Sequence, residues 1–137
     1  MEARISSPRA TSAYTHLQVQ SRSPLELVVM LYDGAIRDMT AAKAAMNSKD
    51  LVEKRRFMSR ALAIVSELQS TLNMTEGGEV ATRLDSLYTY VTGRLLEANM
   101  HGNPGALDDA LQVFVTVREA WMQVASQPDP AAARNVA

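Results

Sequence analysis

The chain contains no cysteine. That excludes disulfides, thiol catalysis and thiolate metal sites, and it fits a reducing cytoplasm. Aromatic residues make up only 5%. Ala, Leu, Val and Met supply the apolar mass instead, which favours helices over sheets. No stretch approaches the ~18 uninterrupted apolar residues of a membrane span. The start, Met1-Glu2-Ala3-Arg4, lacks the apolar run of a signal peptide. A cytoplasmic location without membrane insertion is therefore expected. Charge of one sign is also missing: the net charge is −1. Such a chain has no global field to draw it onto nucleic acid, and no nucleic-acid partner is expected.

Reactive constellations are just as sparse. The two histidines are His16, in a polar arm, and His101, in a turn. Neither has a Glu or His at the helical spacing of a di-iron bundle. A phosphotransfer histidine belongs on an exposed mid-helix face, and neither sits there. Gly77-Gly78 is not followed by the Lys-Ser or Lys-Thr of a phosphate loop. No enzyme activity, metal or cofactor is expected.

What is present is a helix-forming pattern in a chain of 137 residues, 47% hydrophobic, enough for one domain with a sizeable core. Residues 1–22 are polar and read as a flexible N-terminal arm, with Ile5, Tyr14, Leu17 and Val19 as its sizeable apolar residues. Ser23, Pro24 and Glu26 form a capping box with the favoured first-turn proline. Val28, Tyr32, Ala35, Met39, Ala42 and Met46 then follow in the rhythm of one buried seam. Asp50 and Glu53 open a second helix with a seam through Leu51, Met58, Ala61, Val65, Leu68 and Leu72. The third runs from about Glu79 to Met100 through Val80, Leu84, Leu87, Val91, Leu95 and Ala98. His101-Gly102-Asn103-Pro104 is a stop followed by a start. The fourth helix carries Leu107, Leu111, Phe114, Val117, Trp121 and Val124. Pro128 and Pro130 end it, leaving 127–137 as a tail expected to be disordered. Short connections make neighbours antiparallel. The expected fold is all-α: an up-down-up-down four-helix bundle over residues 23–126.

The helices carry more apolar residues than one seam each requires. Leu27, Leu31 and Ile36, Leu62 and Ile64, and Tyr88, Tyr90, Leu96 and Met100 all lie off the seams. A wide core accounts for them, and so does a surface groove for an apolar segment of a partner. Gly34, set among large apolar neighbours, suggests close packing, since a helix loses about 1 kcal/mol for Gly over Ala. Asp33, Asp85 and Glu97 sit in apolar stretches, where a structural partner such as Arg37, Arg83 or Arg94 is expected. Lys54-Arg55-Arg56 with Arg60 reads as a solvated basic face.

Several of these stretches resemble the flagellin-specific export chaperones, the FliS family. The matching pieces are Ser23-Pro24-Leu25-Glu26-Leu27, Leu31-Tyr32-Asp33-Gly34-Ala35-Ile36-Arg37, Arg83-Leu84-Asp85-Ser86-Leu87-Tyr88-Thr89-Tyr90-Val91, Arg94-Leu95-Leu96-Glu97-Ala98-Asn99 and Arg118-Glu119-Ala120-Trp121. They span about Tyr14 to Ala125 in the family's order and spacing. Asp38 departs from it, standing where the family usually has an apolar or aromatic residue, and Gly93 is unusual in the third helix. The resemblance implies a cytoplasmic chaperone that binds the disordered C-terminal segment of flagellin. It would prevent premature polymerisation and deliver the subunit to the flagellar type III export gate. It also implies an arm that lies over part of the client site, with Tyr14 at the matching position. Candidate partner-binding residues are Tyr14, Leu62, Leu68, Leu84, Tyr88, Leu95 and Asn99. The alternative is a helical regulatory adaptor that binds another flagellar protein.

Overall fold

A computed structural model describes residues 23–126 of the chain; Tyr14, the arm and the tail lie outside the described residues. Four helices account for nearly all of them: α1 (Pro24–Asn47), α2 (Leu51–Ser70), α3 (Gly78–His101) and α4 (Pro104–Ala125). No strand occurs among the described residues.

Three of the four helices begin where their capping chemistry places them. The Ser23 hydroxyl accepts from the Glu26 amide at 3.1 Å. The Asp50 carboxylate accepts from the Glu53 amide at 3.1 Å. Asn103 Oδ1 accepts from the Gly105 amide at 3.0 Å, with Pro104 in the first turn. These contacts satisfy amides that have no partner inside the helix. α3 starts differently, with no side-chain cap, at Gly78 in the left-handed region (φ +58). α3 ends at Gly102, also left-handed (φ +62), a conformation that favours glycine at a helix stop.

α1 packs against α2 and α4, and α3 packs against the same two helices. The four therefore stand at the corners of a square in chain order, with α1 and α3 across one diagonal. Short connections reverse the chain at each corner, so the expected up-down-up-down bundle is the observed one. The core runs down the centre: Val28, Tyr32, Ala35, Met39 and Ala42 from α1, Met58, Ala61, Val65 and Leu68 from α2, Leu84, Tyr88, Val91, Leu95 and Ala98 from α3, and Ala106, Leu107, Ala110, Phe114 and Trp121 from α4.

Three seam assignments are corrected. Leu51 and Val80 are 58% and 53% exposed, because each stands in the first turn of its helix beyond the reach of the core. In α3 the inner seam runs through Tyr88 rather than Leu87, which is half-buried. Both residues fit the heptad spacing. Tyr88 takes the centre because its hydroxyl finds a buried partner there, the Tyr32 hydroxyl across the diagonal at 2.7 Å. Gly34 is a point of close approach: a Cβ added there would sit 3.3 Å from Ile64 Cδ1 on α2.

Candidate functional site

The interior is a closed structural unit. Tyr32 stacks on Phe114 with ring centroids 4.5 Å apart, and Tyr88 tilts against both at 6.3 and 6.1 Å. Such aromatic packing adds about 0.5–1.5 kcal/mol per pair beyond area burial. Burial raises both tyrosine hydroxyls above the ordinary phenol value, Tyr88 strongly, so both stay protonated and act as hydrogen-bonding groups only. Among the described residues no cluster of His, Cys, Asp or Glu is arranged to hold a metal ion.

Four of the sequence-predicted partner-binding residues belong to this interior. Leu68, Leu84, Tyr88 and Leu95 are all buried, the last completely. Their side chains are the knobs that join the helices. Leu62 is half-buried and packs on the outside of the core, and Asn99 is half-buried near the end of α3. The Asn99 backbone carbonyl accepts from Lys54 Nζ at 3.0 Å, which ties the start of α2 to the end of α3. Tyr14 lies outside the described residues. Of the six candidates among the described residues, four face the interior and two reach the surface.

The carboxylates singled out in the sequence have structural partners, but not the ones expected. Asp33 pairs with Arg118 of α4. Asp85 Oδ1 accepts from Gln69 Nε2 of α2 at 2.9 Å, and Glu97 pairs with His101 at 3.1 Å. Arg94 instead joins Asp109 of α4 at 3.1 Å. Asp38, on α1, is the buried charged residue, 2% exposed. Burial raises its carboxyl above the usual range, against the opposing pull of Arg60, Arg37 and Arg56.

The distinctive exterior is on α3. Thr82, Ser86, Thr89, Gly93, Leu96 and Met100 recur at spacings of 4, 3, 4, 3 and 4, and all six are exposed. This is a second heptad row on the side of the helix away from the core seam. None of the six is charged, although a solvent-facing stripe is ordinarily polar and charged. Leu96 is 41% exposed and Met100 71%. The Glu79–Arg83 ion pair and the Glu97–His101 hydrogen bond flank the row. Toward α2 it is bordered by Gln69, which donates to Thr89 Oγ1 at 3.0 Å. Leu51 and Val52 are exposed apolar residues in the first turn of α2, the end that Lys54 ties to Asn99 of α3.

Gly93 in the middle of this row has no structural justification inside the bundle. A Cβ there would meet nothing within 4 Å. The helix forgoes about 1 kcal/mol relative to Ala at that position. The row leaves room for a close approach from outside. The signal was available in the sequence: uncharged residues in heptad spacing opposite the large apolar ones.

Fold and surface together define a class: a four-helix bundle with a tightly filled interior and an uncharged, helix-spaced row facing outward. The family follows from comparison with known proteins. The model of the flagellar protein FliS family matches residues 7–128, and the chain belongs to that family. A flagellar secretion chaperone FliS of Vibrio cholerae is 35% identical over 107 residues, covering 78% of this chain and 79% of the relative. The protein of the same description from Campylobacter jejuni is 36% identical over 84% of this chain and 90% of its own length. That from Salmonella typhimurium is 36% identical over 77% and 79%.

Proposed function

We propose that this chain is a flagellar secretion chaperone that captures the C-terminal segment of flagellin in the cytoplasm. It keeps that segment from polymerising and hands it to the flagellar export apparatus. The observation that carries the reading is the uncharged heptad row Thr82–Met100 on the outside of α3. A row of this spacing accepts the apolar stripe of an amphipathic helix. Family membership supplies the class of client.

In this reading the client segment is disordered when free and becomes helical on the row. Ordering it offsets part of the contact energy, which keeps binding reversible without any nucleotide. Leu62 and Asn99 border the client, on the α2 side. Leu68, Leu84, Tyr88 and Leu95 support the surface from behind. Tyr14, outside the described residues, is a further candidate contact for the client.

Calorimetry of the full chain with the C-terminal segment of flagellin from the same organism tests this. The expected result is a one-to-one complex with a gain of helical circular dichroism over the separate components. Absence of heat, together with absence of a complex on gel filtration, refutes it. A complex with another flagellar protein and none with flagellin supports the regulatory adaptor instead.

A further inference from the structure

A different face of the bundle carries a second arrangement, at the edge where α1 meets α2. Arg37 of α1 and Arg56 and Arg60 of α2 all act on the buried Asp38 carboxylate. Arg60 Nε is 3.5 Å from Asp38 Oδ1, a loose contact. Arg56 donates twice to Glu53 Oε1, at 3.3 and 2.9 Å. Arg37 is exposed and makes no direct ion pair among the described residues. Phe57 lies against the two α2 arginines. The Arg56 guanidinium carbon is 4.4 Å from its ring centroid and that of Arg60 is 5.7 Å.

Three guanidiniums offer far more donors than Asp38 and Glu53 consume, since each carries five N–H groups in a planar fork. Stacking on Phe57 and attraction to the carboxylate beneath restrain two of the three heads. Restraint lowers the entropy lost when they capture a further carboxylate, and the fork matches that group bidentately. An ordinary solvated basic face has mobile heads and no aromatic platform.

We infer that this edge is a docking site for an acidic segment of a partner protein, separate from the α3 row. Charge complementarity selects the occupant. The arginines meet carboxylates in forked pairs, and Phe57 adds an apolar contact beside them. A nucleic acid fits less well. The site covers about one helical turn of α2, from Arg56 to Arg60. Elsewhere α3 and α4 present Glu79, Asp85, Glu97, Asp108, Asp109 and Glu119 against Arg83, Arg94 and Arg118, which repels a long polyanion. The inference does not depend on which client the α3 row takes.

The test is a titration of the isotope-labelled full chain with a short blocked Glu-rich peptide, followed through the arginine side-chain Nε–Hε resonances. Arg37, Arg56 and Arg60 are expected to shift together and saturate. Binding should weaken with salt, which screens exposed charges beyond about 8 Å at physiological ionic strength. The double variant Arg37→Glu, Arg56→Glu should abolish saturable binding while the helical circular dichroism stays unchanged. If that variant unfolds, Arg37→Gln decides the matter, because Arg37 makes no direct ion pair among the described residues: weakening of about threefold or more supports the site, and unchanged affinity overturns it. Shifts scattered over Lys43, Lys49 and Arg83 without saturation also overturn it. Tighter binding of an oligothymidylate of equal charge at the same three arginines would replace the protein partner with a nucleic acid.

Discussion

The inner and outer faces of α3 carry the same rhythm and have opposite fates. Leu84, Tyr88, Val91, Leu95 and Ala98 run down one side at spacings of 4, 3, 4 and 3 and are buried. Thr82, Ser86, Thr89, Gly93, Leu96 and Met100 run down the other and are exposed. Heptad spacing alone does not tell core from docking surface. Size and shape do. The inner row supplies bulk to fill the square between four helices, and its tyrosine finds a hydroxyl partner. The outer row is small in its middle and apolar at its end, the shape that the proposed client helix requires.

Four variants probe this division, ordered by their expected effect on stability. Leu95→Ala should cost about 2–5 kcal/mol in urea unfolding, the usual loss for a buried leucine truncated to a methyl. A loss below about 1 kcal/mol would mean the inner row is not the core it forms here. Tyr88→Phe should cost about 1–2 kcal/mol, because the buried Tyr32 hydroxyl loses its partner. If the variant is as stable as the parent, the diagonal hydrogen bond contributes nothing net.

Gly93→Ala should act in the other direction. It should raise the unfolding free energy by up to about 1 kcal/mol, since no neighbour obstructs the new methyl. The same change should weaken flagellin-segment binding. Tightened or unaltered binding would show that no partner approaches closely there. Leu96→Glu combined with Met100→Glu should shift stability least, by about 0.5 kcal/mol or less for each exposed site. Its effect on the flagellin segment should be at least about tenfold in affinity, measured by calorimetry. Retained binding in this variant would remove the outer row from the client site.

Much of the architecture was legible in the sequence because its signals are local. Ser23, Asp50 and Asn103 mark helix starts through contacts within three residues, and Gly102 marks a stop. The heptad seams gave the bundle. The candidate partner-binding residues were less legible. Leu68, Leu84 and Leu95 fit a seam and a groove equally well on paper; only the square arrangement of the helices decides that they face inward. Tyr88 looked surplus because Leu87 also fits the period, and the choice depends on Tyr32, 56 residues earlier. Asp38 stands out in the sequence as a departure from the family pattern, but its burial depends on α2 closing over it with Arg60. Gly93 stood out in the sequence, yet its meaning required knowing that the space around it is open.

The central claim is that α3 holds its partner on the outer row while the inner row stays packed. Methyl-labelled NMR of the full chain with the flagellin C-terminal segment tests it most directly. The methyls of Leu96 and Met100 should shift and saturate at one equivalent, with those of Leu95 and Val91 moving little. Saturation at one equivalent with Leu96 and Met100 unmoved, and the shifts concentrated elsewhere, would contradict the account.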